Sequence, residues 1–361
     1  MINYEELLAI PPYSLDKVAK SELLTDILCV LTRHHYQSCI GYRKLLNAMK
    51  VKPVGISDYR DIPFLPVKLF KEYDLKSVEQ GDVVKTMTSS GTTGQQVSKI
   101  YLDRETSALQ TKTLTKIVNS YIGKSRLPMI IIDSSAVVEN RVMFSARGAG
   151  ILGFSLFGRD KVYALNENME FDIKALETFL EKHKDEKIFL FGFTFMIWQH
   201  FYKLLKAISY RPDLSKGILI HGGGWKKLAD KAVSPKDFKT AIKEVCGIEK
   251  IYDYYGMVEQ TGTIYMECEY GHLHTSVFSD VIVRRHTDFS EAEIGEKGII
   301  QVVSVLPKSY PGHSLLTEDE GVILGEDDCA CGRKGKYFSV FGRIKNAEIR
   351  GCSDAYATKF T

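Results

Sequence analysis

The sequence predicts an α/β fold with largely parallel sheets, and three observations carry that expectation. From about residue 81 to 265, short apolar runs alternate with amphipathic helical patterns, the order of a chain that lays strands side by side through helical crossovers. The runs MIIID (129–133), IFLF (188–191), GILIHGG (217–223) and KIYDYYG (250–256) end near glycine or polar residues, as strands do where they open into loops. From 266 onward the helical period fades, and SVFSDVIVRR (276–285) and GIIQVVSVL (298–306) read as strands of a small β-rich subdomain.

The elements follow in order. Residues 1–85 read as a mostly helical segment of the large domain. SELLTDILCVLTRHHYQSCIGYRKLLNAM (21–49) mixes apolar and polar residues at helical spacing, and Pro63 and Pro66 then break the pattern. Residues 86–265 form the α/β core, with KALETFLEKH (174–183) and KDFKTAIKEV (236–245) as its amphipathic helices. Functional loops are expected at the carboxyl ends of its strands. The β-rich subdomain occupies 266–341, and 342–361 is a short polar tail.

At 361 residues the chain exceeds the roughly 100–150 of a typical single domain, so one large domain with appended pieces is expected. Apolar residues make up 44% and charged residues 26%, enough for a core without disulfides. A net charge of +3 does not point to a nucleic-acid partner. The opening MINYEELLAIPPYSL carries acids and prolines, unlike a signal peptide, and the apolar stretch 188–202 is too short and too interrupted for a membrane span. Seven cysteines, scattered except for Cys329 and Cys331, fit reduced thiols in the cytoplasm.

Four segments carry chemistry. Thr88, Ser89, Ser90, Gly91, Thr92, Thr93 and Gly94 form a hydroxyl–glycine loop. Its glycines allow close backbone approach, so that N–H groups can cradle a polyphosphate, and its hydroxyls add neutral donors. No Gly-Lys-Ser/Thr follows, so it is not a P-loop. Gly222, Gly223 and Gly224 follow an apolar strand in HGGGW and can open space for a flat ligand. In Tyr254-Tyr-Gly-Met-Val-Glu259 an aromatic can stack on a purine and the carboxylate can hold Mg²⁺. Asp319, in LTEDEG (316–321), sits in an expected turn where its carboxylate can accept ribose hydroxyls. Each segment alone also reads as an ordinary loop, core aromatic or solvated acidic turn.

Their order is more specific. With Phe341-Gly-Arg-Ile-Lys345, the series resembles the core signatures of the adenylate-forming superfamily over about 86–351. The resemblance implies that Thr88 to Gly94 hold phosphates, that Tyr255 and Gly256 contact adenine and that Glu259 binds Mg²⁺. It also implies that Asp319 binds ribose and that Arg343 belongs to the Gly-Arg hinge motif. A narrower resemblance rests on IPFLPVKLFK (62–71), FGFTF (191–195), HGGGWK (221–226), SYPGHSLLTEDEG (309–321) and GRIKNAEIRGC (342–352). These are similar to the acyl-protein synthetases of the bacterial fatty-acid reductase system, the LuxE family, with phenylacetate-CoA ligases as neighbours. That family activates a fatty acid as its adenylate and passes the acyl group to a cysteine near its carboxyl end, for reduction by a partner protein.

The resemblance sets the remaining expectations. The chain ends ten residues after Gly351, so the carboxy-terminal domain of most relatives is expected to be truncated, and with it the lysine used in adenylation; Lys359 is too near the end to be placed in that role. Asn346 stands where many relatives carry an aspartate. Cys352 is the expected acyl acceptor, beside Arg350, whose charge favours the thiolate. Phe191, Phe193, Phe195 and Trp198 are candidates for the acyl pocket, with core packing the expected role of at least half of them. Cys268, Cys329 and Cys331, with His272 or His274, offer thiolate and imidazole ligands for a tetrahedral zinc. A similar pattern in some phenylacetate-CoA ligase relatives favours His274. Two competing readings use the same parts: a phenylacetate-type acyl- or aryl-CoA ligase, and a nucleotide-binding subunit without catalysis.

Overall fold

The computed structural model describes residues 2–89, 96–139, 146–225 and 232–344. They form two compact units. The first contains residues 2–89, 96–120 and 256–344, and the second residues 121–139, 146–225 and 232–255.

The second unit is the α/β layer. Its strands run in the order Lys250–Tyr255, Gly217–Gly222, Ile188–Phe193, Leu127–Ser134, Gly158–Leu165, and every pair is parallel. Ile188–Phe193 and Gly217–Gly222 are buried at every residue, as expected for strands covered on both faces. Helices Ile173–Lys182 and Pro235–Cys246 begin where the caps say they should. Asp172 accepts the Ala175 N–H, Ser234 accepts the Asp237 N–H ahead of Pro235, and Gly247 ends the second helix at φ +78°. Leu176, Phe179, Phe238, Ile242 and Val245 from these helices meet Leu190 and Leu219 from the sheet in one apolar core. After strand Ile188–Phe193 the chain enters helix Thr194–Met196, which widens to a π-helix over Ile197–Tyr202 before Lys203–Ala207.

The first unit is built on an antiparallel sheet in the order Ser279–Arg284, Lys297–Ser304, Ser314–Glu326, Lys336–Arg343, Leu273–His274, Tyr265–Glu267. Leu65–Pro66 adds to Ser314–Glu326 in parallel. Helix Lys17–Ser38, capped by Asp16, buries Lys20, Leu24, Ile27, Leu28, Leu31, Thr32 and His35, one face at helical spacing. Lys20 is a charge on that buried face. Its ammonium lies 3.4 Å from Asp280, which Lys336 reaches at 3.3 Å and the Tyr59 hydroxyl at 2.5 Å. Burial pushes the Asp280 carboxyl up, but the two lysines and the hydroxyl outweigh it and hold it at about 2. A buried, fully paired cluster of this kind fixes where the helix docks more than how strongly.

Three sequence expectations change. The single helical pattern of 21–49 breaks at Cys39, whose extended backbone ends one helix and whose sulfur accepts the Tyr42 N–H to cap the next, Ile40–Ala48. Asp319 lies not in a turn but inside strand Ser314–Glu326. Its N–H is taken by Thr317 Oγ1 at 3.1 Å, and the ladder shifts register at Glu320/Gly321, so an acidic strand with a local irregularity imitates a turn in the sequence. Gly342 and Arg343, expected to open the tail, are instead the end of strand Lys336–Arg343.

Candidate functional site

In the first unit, strand Lys85–Thr88 pairs with Lys99–Leu102, with Thr88 opposite Lys99. Just past that pair, the Ser89 N–H donates to Ser98 O at 3.1 Å and the Ser98 N–H donates to Ser89 Oγ at 2.9 Å. This reciprocal pair fixes both ends of the hydroxyl–glycine loop. Ser90, Gly91, Thr92, Thr93 and Gly94 lie outside the described residues.

Glu259 occupies the one-turn helix Val258–Gln260 and is buried. Burial pushes its carboxyl above the usual range; the Ser98 hydroxyl and the Arg343 charge pull it down, and Glu318 pushes it up. Burial prevails, so the carboxylate is under-compensated, a condition that a bound divalent cation relieves. Arg343 lies opposite Asp319 across the paired strands Ser314–Glu326 and Lys336–Arg343. Ser98, Glu259, Arg343 and Asp319, up to 245 positions apart in sequence (Ser98 to Arg343), thus converge in one unit.

The Glu259 turn is held from behind. The Tyr310 hydroxyl donates to the Glu259 carbonyl at 2.9 Å, and the Gln260 amide donates to Gly312 O and Val302 O. A Cβ on Gly312 would meet the Tyr310 ring at 2.2 Å and the Glu259 carbonyl at 2.9 Å, so only glycine fits there. Sequence reasoning gave no role to Ser98, Gln260, Tyr310 or Gly312. The SYPG run was the signal for the last two, since a turn this dense in special residues has packing to satisfy.

In the second unit, Gly222 ends strand Gly217–Gly222, and a Cβ there would lie 2.4 Å from the Tyr254 ring. Gly223 follows at φ +76°. Thr194 Oγ1 lies 2.9 Å from His221 Nδ1 and donates to the Gly222 carbonyl at 3.2 Å, tying the glycine turn to the neighbouring strand end. Burial holds His221 at about 3, so the ring is neutral. Tyr255 ends strand Lys250–Tyr255, half-buried, and Gly256, at the edge of the first unit, is exposed. Of the acyl-pocket candidates, Trp198 belongs to the apolar core, stacked on Tyr202 at 4.4 Å. Phe191 stacks on Phe154 at 4.2 Å and meets Phe193 edge-on, and Phe195 is buried.

A second cluster lies in the first unit. Cys268 follows strand Tyr265–Glu267, His274 ends Leu273–His274, and Cys329 and Cys331 sit in the loop before Lys336–Arg343. One ligand atom from each of the four lies within 4.8 Å of all the others. His274 Nε2 is 3.3 Å from Cys331 Sγ, and the Cys268 and Cys329 sulfurs are 4.0 Å apart. Ligands about 2.0–2.3 Å from a tetrahedral zinc sit about 3.3–3.8 Å from one another, so the four fit that ion with small adjustments. Burial lowers His274 to about 4, which keeps it in the neutral, ligating form. His272 Nδ1 is 3.4 Å from Cys329 Sγ, and Tyr337 stacks on both imidazoles.

A family model described as acyl-protein synthetase, LuxE, matches residues 4–361. A long-chain-fatty-acid–luciferin-component ligase of Vibrio harveyi is 23% identical over 346 residues, 91% of this chain and 86% of that protein. Its counterpart in Aliivibrio fischeri is 24% identical over 334 residues, covering 88% and 84%. Among solved structures, 2-hydroxyisobutyryl-CoA ligase in the postadenylation state with 2-HIB-AMP superposes with a TM-score of 0.70 at 14% identity, over 92% of this chain and 70% of that one. That likeness establishes the fold as that of adenylate-forming ligases. No helix among the described residues is long and apolar enough to cross a membrane.

Proposed function

The chain belongs to the acyl-protein synthetase (LuxE) family of ligases, and we propose that it activates a long-chain fatty acid with ATP and passes the acyl group to a protein thiol. In the first step a carboxylate oxygen of the acid attacks the α-phosphorus of ATP, the bond to the bridging oxygen breaks, and pyrophosphate leaves. No base is needed, because the acid is already ionised at pH 7. In the second step a thiolate attacks the acyl carbon of the mixed anhydride, and AMP leaves. The observation that carries this reading is the buried Glu259 carboxylate, set between Ser98 at the mouth of the phosphate loop and Arg343 opposite Asp319.

Glu259 is the residue that would hold Mg²⁺, which offsets charge on the departing pyrophosphate. Ser89 and Ser98 fix the base of the loop whose Thr88 to Gly94 receive the phosphates. Tyr255, Gly256 and the Gly222–Gly224 turn are assigned to the nucleotide by the resemblance, and Asp319 to the ribose. Charge-assisted hydrogen bonds are worth about 1.5–3 kcal/mol, so Asp319→Ala weakens binding of an ATP analogue about 10- to 100-fold in calorimetry and leaves fatty-acid affinity in place. Equal nucleotide affinity in the variant removes Asp319 from the ribose role. Cys268, His274, Cys329 and Cys331 are the residues that would hold one structural zinc.

Cys352, outside the described residues, is the proposed acceptor, and an acyl reductase the proposed recipient of the acyl group. The deciding experiment is ATP–pyrophosphate exchange across a panel of fatty and aryl acids, followed by intact-protein mass spectrometry. Long-chain fatty acids are expected to drive exchange and to leave a hydroxylamine-labile acyl mass on the protein. Cys352→Ser keeps the exchange and loses the label, because only the second step uses the thiol. Acyl-CoA in place of labelled protein supports the CoA-ligase reading. The absence of acid-dependent exchange overturns the enzymatic one.

A further inference from the structure

We propose that Thr194 and His221 are positioning residues for the nucleotide, joined in one hydrogen-bond chain that sets the direction of the Gly222–Gly224 turn. The inference rests on the reading of that turn as part of the nucleotide site. Both side chains are buried, and both sit at the carboxyl ends of neighbouring parallel strands. Strand Ile188–Phe193 ends immediately before Thr194, and Phe193 is in register with Gly222. The Thr194 hydroxyl therefore stands beside the last peptide of strand Gly217–Gly222.

The hydrogen-bond chain has a direction. The Thr194 hydroxyl carries one proton, and the Gly222 carbonyl, 3.2 Å away, can only accept it. His221 Nδ1, 2.9 Å from the same hydroxyl oxygen, is then the donor, which puts the ring proton on Nδ1. Burial keeps the ring neutral, so Nε2 is left as a bare lone pair, and it has no hydrogen-bond partner among the described residues. The Phe238 ring packs against the imidazole at 4.6 Å and limits its rotation. The Gly222–Gly223 peptide is trans and planar, so an oxygen held toward Thr194 turns the Gly223 N–H the opposite way. Gly223, at φ +76°, and Gly224 are both exposed. A run of glycines has no side chains to hold its shape, and the Thr194–His221 pair supplies that hold from behind.

The test joins two measurements on the full chain: the His221 tautomer, read by nitrogen NMR with His221→Asn for assignment, and calorimetry of a non-hydrolysable ATP analogue. The proton is expected on Nδ1, and a proton on Nε2 in wild type overturns the proposal. Thr194→Val and His221→Leu are each expected to weaken analogue binding about 10-fold, the scale of one lost hydrogen bond. The double variant should bind no more weakly than the weaker single one, because both substitutions cut the same chain. Thr194→Ser keeps the hydroxyl and His221→Asn keeps a donor in place of Nδ1, so both should restore near wild-type affinity. Losses that these two fail to restore, or that track a falling melting temperature, assign the pair to packing and overturn the proposal. Gly224→Val tests the turn itself, since a Cβ there meets nothing within 4 Å among the described residues. If Gly224→Val binds the analogue as wild type does, or wild type does not bind it, the nucleotide reading of the turn fails and the inference with it. If Gly224→Val loses the analogue while Thr194→Val and His221→Leu keep it, the positioning pair alone is wrong.

Discussion

Glu259→Gln is expected to lower acid-dependent ATP–pyrophosphate exchange by about 10²–10³-fold, with the fold intact or more stable. The substitution keeps the shape of the side chain and removes the charge that would hold Mg²⁺. Losing one preorganised electrostatic partner of a transition state typically costs that much. The stability half of the expectation follows from the raised carboxyl pKa, whose first cause is burial. A group raised in the folded state adds stability below its unfolded pKa of about 4.3, and that contribution is lost as pH rises through the folded value. At neutral pH the wild-type carboxylate is therefore a cost that the neutral amide avoids. The main-chain anchors from Tyr310 and Gln260 do not involve the carboxylate and remain. Thermal melts at pH 7 beside the exchange assay check both halves. A folded variant with wild-type exchange ends the metal assignment, and an unfolded one ends the claim that the charge serves function rather than stability.

Loss of zinc is expected to be the largest stability effect. Metal analysis of protein purified without a metal-affinity column should give one zinc per chain. Stripping the zinc with a strong chelator, or Cys268→Ser, should lower the melting temperature by about 10 °C or more. Structural zinc sites carry about 10–16 kcal/mol of apparent binding energy in small domains, and a few kcal/mol suffices for such a shift here. The loss should spread beyond the loop. Cys329 and Cys331 join strands Ser314–Glu326 and Lys336–Arg343, and Lys336 belongs to the buried Asp280 cluster that seats helix Lys17–Ser38. Protein without zinc, with all three thiols reactive and an unchanged melt, rejects the site.

The sequence by itself determined what is local or ordered along the chain. Apolar runs such as IFLF alternating with the amphipathic patterns of 174–183 and 236–245 marked the strands and helices of the α/β layer, all of which form. The order of the motifs pointed to the family, and ligand type selected four of the residues that the fold brings within one coordination sphere. The tertiary structure alone decided what depends on residues distant in the chain. Asp319 has a turn composition and a strand conformation because Arg343 of the neighbouring strand pairs with it across the fold. His272 and His274 are two apart and compete on equal terms in the sequence, and only the folded positions of the three cysteines put His274 in the mutually close set. Tyr310 acquires its role only through Glu259, 51 positions before it, whose carbonyl accepts its hydroxyl. A tyrosine before a proline has no periodicity and no cap to declare it; burial and one hydrogen-bond partner across the fold give it its meaning.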